Sequence, residues 1–226
     1  KKLTLATGAI ASPILVANFL NKSIRTRLQH NPTYFFSFLS FDKYFWKIKE
    51  IFVKLSNAEY QIKDNYFGKM FGQIYPCLII SNQILKVKFP FFKFFPSYFL
   101  SFLKKQVCLS TIYLDGLFSS TYMLINKNKV TIQSENNKFQ SGYFKKINKI
   151  TKRYFKFILP YTSVMVENGT DAHYGCTIPY SDKNIEFTTD EYGKIKNINQ
   201  NLTIIDGSVL KNLPAKPLTF TIMANA

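Results

Sequence analysis

The sequence predicts a mixed fold of the α/β (α+β) class, and three observations predict it. The chain opens on a strand–turn–helix pattern, Leu3-Thr4-Leu5-Ala6, then Thr7-Gly8-Ala9-Ile10-Ala11, then Ser12-Pro13. Near its other end an apolar run, Leu202-Thr203-Ile204-Ile205, leads into Asp206-Gly207-Ser208 and on to a small-residue helix pattern, Thr221-Ile222-Met223-Ala224. Between these pieces stand short alternating runs, the mark of antiparallel strands, together with runs of helical periodicity. Such an order predicts α/β pieces at both ends and an inserted mixed or antiparallel domain between them.

Taken in order, Leu3–Ala6 reads as a short buried strand. The small residues after it form a turn in which Gly8 lets the backbone come close to another group. Ser12 is expected to cap a helix whose first residue is Pro13, with Ile14, Leu15, Ala17 and Phe19 on its core face. Leu28-Gln29-His30-Asn31-Pro32 reads as a loop, with His30 an ordinary loop residue. Tyr34 to Val53 is rich in aromatics and has no single period.

The stretch Phe89 to Leu103 is the most aromatic of all, but Pro90, Lys93 and Pro96 break it. It is too short and too interrupted for an integral membrane span. Lining of a core or pocket is one reading of it, and an interfacial patch is the other. Gln106 to Asn126 reads as two strands around Asp115-Gly116. In the first, Val107, Leu109, Thr111 and Tyr113 share one face and Cys108, Ser110 and Ile112 the other. Lys129–Gln133 is a further strand. Gly142–Leu159 is a helix carrying Phe144, Ile147, Ile150, Tyr154, Phe157 and Ile158, stopped by Pro160.

The length of 226 residues suits one or two domains. Thirty Lys and Arg against 13 Asp and Glu give a formal charge of +17, which attracts polyanions and anionic lipid. The lysines are spread through a chain full of Asn, Ile, Phe and Tyr, as in proteins of AT-rich genomes. No nucleic-acid motif accompanies them, so a nucleic-acid partner is not expected. Cys77, Cys108 and Cys176 are far apart, without a CxxC pair or a Cys/His cluster. This excludes a zinc-site reading and fits a reducing, cytoplasmic setting. The first residues, Lys1-Lys2 directly before an apolar strand, read as the start of a piece of a longer protein.

Two residues carry candidate chemistry. His173 lies on a short loop with Gly175 and Pro179, where an imidazole can face a ligand; a lone histidine in such a place is also a common structural or surface residue. Asp206 stands at the end of an apolar strand. There a carboxylate can accept bonds from a cofactor's hydroxyls while Gly207 permits close approach, or it can simply cap a turn.

The segments Leu5-Ala6-Thr7-Gly8-Ala9-Ile10-Ala11-Ser12-Pro13-Ile14-Leu15, Asp171-Ala172-His173-Tyr174-Gly175-Cys176, Asp206-Gly207-Ser208 and Thr221-Ile222-Met223-Ala224 occur in that order. In this they resemble the C-terminal half of the glucose–methanol–choline (GMC) flavin oxidoreductases. The resemblance is specific at both ends of the chain and only topological between them. It implies FAD as cofactor and an alcohol or sugar, a CH–OH donor, as substrate. It also implies a partial Rossmann-like FAD-binding domain made of residues 1–24 and 190–226, and a substrate-binding domain of residues 25–189. In that reading His173 is the general base; imidazole, with a reference pKa of about 6.5, suits removal of the hydroxyl proton as hydride passes to flavin N5. Gly8, Ala9, Asp206 and Gly207 would lie against FAD. Leu218 and Thr219, opening the last helix, would aim backbone N–H groups at the flavin edge.

Two departures stand out. The family's second active-site position, usually His or Asn, falls on Pro217, which has neither donor nor side-chain acceptor. Cys176 stands where Gly or another small residue is common, and a buried thiol is expected there. The family's N-terminal Gly-x-Gly-x-x-Gly phosphate loop is not in the sequence, so the reading calls for an additional FAD-binding segment. Three functions follow as expectations: a fragment of a GMC-type oxidoreductase, an inactive paralogue of one, or a basic module binding nucleic acid or anionic membrane.

Overall fold

The computed structural model describes residues 2–40, 58–76, 93–127, 129–134, 138–156, 158, 163–166, 173–198 and 201–215. In chain order the elements are β1 (Lys2–Leu5), α1 (Ala11–Leu20), β2 (Ile24–Arg27), β3 (Gln29–His30), β4 (Thr33–Leu39), β5 (Ala58–Asp64) and β6 (Gly68–Pro76). There follow α2 (Ser97–Gln106), β7 (Val107–Tyr113), β8 (Thr121–Asn126), β9 (Lys129–Ser134), α3 (Lys138–Tyr154), β10 (Val164–Met165), β11 (Tyr174–Gly175) and β12 (Asn201–Ile204). Single 3-10 turns occupy Gly116–Phe118 and Gly207–Val209. The described residues are a mixture of helix and strand in which antiparallel pairing predominates.

The chain divides into two compact units. The first is Lys1–Pro32, Tyr113–Asn137 and Val166–Ala226; the second is Thr33–Ile112 and Lys138–Met165. These cuts fall elsewhere than the expected boundaries at 24/25 and 189/190: β8 pairs with β2, β9 with β8, and β11 with β3.

In the first unit β1 and β12 pair in parallel, Lys2 opposite Asn201 through Leu5 opposite Ile204. The other edge of β12 takes Ile195 N–H at 3.1 Å on Leu202 O and gives Ile204 N–H to Gly193 O at 2.9 Å. β12 is therefore bonded on both sides, as its buried Leu202 and Ile204 require. Among the described residues β1 is the edge strand, and Leu3 is 56% exposed, contrary to the buried strand expected. Val16, Ile178, Phe187, Ile195, Leu202 and Ile204 form the core against it. β2, β8 and β9 make an antiparallel sheet whose Met123 and Ile125 pack with Ala17 and Leu28.

Helix α1 departs from expectation. It begins at Ala11, and Ile10 is the cap, with no side-chain capping bond. Ser12 lies inside the helix and is fully buried. Pro13 is tolerated there because the first four helical N–H groups lack an intrahelical partner anyway. The core face is Val16 and Ala17; Leu15 and Phe19 are exposed.

The second unit is a five-stranded sheet in the order β10-β4-β7-β6-β5. The expected two strands around Asp115-Gly116 exist but do not pair with each other: β7 is a central strand here, and β8 belongs to the three-stranded sheet. Its central place explains why Cys108, Ser110 and Ile112 on one face and Val107 and Thr111 on the other are all buried. Aromatic rings fill the core, with Phe36, Phe38 and Tyr60 gathered around Phe155 at centroid distances of 4.9, 5.0 and 5.2 Å. Gly72 lies directly beneath the Tyr60 ring, where a Cβ would come within 2.1 Å of it. Ser110 Oγ bonds the Tyr60 hydroxyl at 2.6 Å, and burial raises the phenol's pKa. Helix α3 covers this core with Ile147 and Ile150, whereas Tyr154, expected inside, is 62% exposed. Pro160 and Phe157 lie outside the described residues.

The expectation that the 89–103 stretch lines a core fails over the residues described. Phe94, Tyr98 and Phe102 are exposed and only Leu100 is fully buried. Among the described residues no helix is long and apolar enough to cross a membrane.

Candidate functional site

The candidate site belongs to the first unit and is built on the turn that follows β1. Gly8 there has φ +92°, a conformation open to glycine and strained for other residues. Its N–H donates to Asp206 Oδ2 at 2.9 Å, joining positions 198 apart in sequence. The buried Ser12 hydroxyl donates to the same oxygen at 2.5 Å. Its only proton is thus committed, so the Thr7 hydroxyl, 2.8 Å away, is the donor in that pair. The other carboxylate oxygen, Oδ1, accepts from Ser208 N–H at 2.8 Å and from Ser208 Oγ at 2.6 Å. The turn-cap alternative for Asp206 is thus realised in its bond to Ser208 N–H.

A second line of bonds brings the histidine loop to the same place. Cys176 N–H donates to Gly207 O at 2.9 Å, Ile178 N–H to Ser208 O at 3.0 Å and Tyr180 N–H to Val209 O at 2.9 Å. Between them Thr177 Oγ1 donates to Ala9 O at 2.8 Å, and the Thr26 hydroxyl donates to Thr177 O. Gly8–Ala9, Cys176–Thr177 and Gly207–Ser208 are therefore bonded into one cluster. His173 precedes this run by three residues, half-buried, with its ring 6.1 Å from that of Tyr113.

Cys176 has φ +62°, which explains in backbone terms why a glycine suits this position. Its side chain is buried, as expected. Burial pushes the thiol up to about 12, with Arg27 pulling the other way and Asp115 adding to the rise. A thiol held neutral in this way is no nucleophile at neutral pH.

The segment leading toward Pro217 is clamped by side chains that the sequence reading missed. Leu213 N–H donates to Gln29 Oε1 at 2.9 Å, and Gly116 N–H donates to Leu213 O at 2.7 Å. Asn31 Nδ2 donates to Leu114 O at 2.8 Å and Pro214 O at 3.0 Å. Gln29 and His30 are not in a loop: they form β3, paired with β11, and both are buried. His30 packs its ring 6.4 Å from Tyr174. A buried two-residue strand has no periodicity to announce it; the signal available was three consecutive amide- and imidazole-bearing residues ahead of a proline. Pro217, Leu218 and Thr219 lie outside the described residues.

The residues can be tested against a flavin. Among the described residues nothing lies within 4 Å of a Cβ built on Gly8, so that face of the turn is open to an approaching group. Asp206 fits the role of cofactor ligand less well. A carboxylate has about four lone-pair positions, and four protein donors already take them. Asp206 acts by holding the Gly8 turn, not by presenting a free carboxylate. Among the described residues no cluster of three or more His, Cys, Asp or Glu could hold a metal ion. No family model matches this chain, and no curated protein matches it either.

Proposed function

We propose that this chain is the substrate and flavin-contact region of a GMC-type alcohol oxidoreductase, with residues of a Rossmann-like FAD-binding domain at both its ends. One observation carries the reading. The two segments that the resemblance requires side by side are joined by a parallel strand pair and by the hydrogen bond from Gly8 N–H to Asp206. The parallel register is what an open α/β sheet needs at its ligand-binding end. FAD, when bound, supplies the acceptor for hydride from the CH–OH carbon of an alcohol or sugar. Gly8 and Ala9 would lie against it, held by Asp206 and Thr177, and Gly207 would stand beside them. His173 would take the hydroxyl proton at an imidazole nitrogen. The pyrophosphate would need the glycine-rich segment that the sequence lacks.

The test is the full-length protein purified as expressed. The reading expects a yellow flavoprotein, and His173→Ala is expected to lower kcat by about a hundredfold or more at unchanged flavin content. A colourless protein, or unchanged turnover in the variant, overturns it. Pro217 favours a second reading, a paralogue that keeps the cofactor and lacks turnover. Flavin absorbance without reduction by any alcohol offered would select it.

A further inference from the structure

Helix α2 shows an aromatic stripe to solvent. Phe94, just ahead of the helix, and Tyr98 and Phe102 within it are spaced four apart and are 88%, 78% and 53% exposed. Phe95 stands beside them, its ring stacked on Phe99 at 4.9 Å. The helix is not short of an anchor, because Leu100 on its other side is completely buried. The exposed rings stand in addition to that buried anchor.

Charge says what such a surface meets. From Asp64 to Asp115 the sequence contains no other acidic residue, yet it carries Lys69, Lys86, Lys88, Lys93, Lys104 and Lys105. Lys93, next to Phe94, is exposed. A second copy of this chain is a poor occupant, since both partners carry +17. A surface that is anionic outside and apolar just beneath satisfies both features at once. Ten residues of helix span about 15 Å, half the thickness of a bilayer core, so α2 can lie in such a surface and cannot cross it.

We propose that α2 docks the second unit on anionic lipid bilayers. Phe94, Tyr98 and Phe102 enter the boundary between headgroups and acyl chains, and the exposed Lys93 beside them, with the chain's charge of +17, supplies the attraction. This inference does not rest on the flavin reading, and vesicle binding is measured without substrate or flavin absorbance.

The experiment is co-sedimentation of the full-length protein with phosphatidylcholine vesicles, with and without about one third phosphatidylserine, over a series of salt concentrations. Binding to the anionic vesicles is expected to be about tenfold tighter or more, and to weaken as salt rises. The triple variant Phe94→Ser, Tyr98→Ser, Phe102→Ser alters exposed rings only. It is expected to keep its circular dichroism and to lose about tenfold in affinity. Lys93→Glu, a milder change, is expected to lose several-fold on anionic vesicles and nothing on neutral ones. Four results would overturn the proposal: no binding to either vesicle, equal binding to both, wild-type binding by the triple variant, or loss in that variant only of self-association or of binding to a single-stranded RNA.

Discussion

Removing the Asp206 carboxylate tests the feature on which the arrangement of the first unit depends. In Asp206→Ala four donors lose their acceptor: Gly8 N–H, the Ser12 hydroxyl, and the N–H and hydroxyl of Ser208. Three of these bonds are buried, and a buried donor left without a partner costs about 1–3 kcal/mol. The Ser12 hydroxyl can turn to Thr7, and water can enter the space vacated, so the lower end applies to each. The expected loss is about 3 kcal/mol, a large part of a typical domain's 5–15 kcal/mol. Asp206→Asn keeps one oxygen, which can serve one pair of donors while its NH2 opposes the other, so about 2 kcal/mol is expected. Ser12→Ala removes one donor and leaves three, for about 1 kcal/mol. Ser12→Ala combined with Asp206→Ala should then cost less than the sum, because the two changes remove the same bond. Urea unfolding followed by circular dichroism, read at constant m, measures all four. A loss below about 1 kcal/mol for Asp206→Ala, or strict additivity in the double variant, would refute the reasoning.

Two further expectations use the same assay or simple chemistry. Gly8→Ala and Gly193→Ala both place a side chain at positive φ, +92° and +72°, but differ in surroundings. At Gly8 the methyl meets nothing within 4 Å among the described residues, so only backbone strain of about 1 kcal/mol is expected; at Gly193 it would sit 2.3 Å from Ile204 O, and about 3 kcal/mol or more is expected. If flavin lies against the Gly8 turn, Gly8→Ala should also lose flavin affinity out of proportion to its small effect on stability, which flavin release during thermal unfolding measures. For Cys176, whose folded thiol titrates near 12 against an unfolded value near 9.0, the stability it contributes is complete below pH 9 and falls between pH 9 and pH 12, where only the unfolded thiol ionises. Iodoacetamide at pH 8 should leave the Cys176 peptide unlabelled in native protein and label it in urea, as mass spectrometry of the digest would show; native labelling would contradict its burial.

How much of this was legible depends on the range over which each residue acts. β12, β8, β9 and α3 announced themselves because their apolar residues repeat with the period of the element over several positions. Ser12 looked like a helix cap because capping is a local role; its actual partner, Asp206, is 194 positions away, and no local pattern reports that. β3 was hidden because Gln29 and His30 are buried by pairing with β11 and by the Leu213 clamp, not by hydrophobicity. Composition alone left the aromatic run through α2 open between an interior lining and an interfacial patch; the fold puts Leu100 inside and Phe94, Tyr98 and Phe102 outside.

The same distinction separates what a family-like motif specifies from what the fold does with it. In a strand–turn–helix ending at Gly8, the glycine permits a left-handed backbone, but permission does not hold the turn in one place. Here the restraint comes from elsewhere in the chain, through one carboxylate at the end of β12 and one hydroxyl, Thr177, in the run after His173. The turn, the histidine loop and the Asp206 strand end are therefore coupled. Loosening any one should loosen the others, because each supplies a hydrogen-bond partner that the next cannot replace from solvent without reopening a buried site. A site of this kind tolerates exchange of residues that only line it, such as Cys176 for a glycine. It does not tolerate loss of Asp206, whose four bonds join the Gly8–Ser12 stretch to the end of β12.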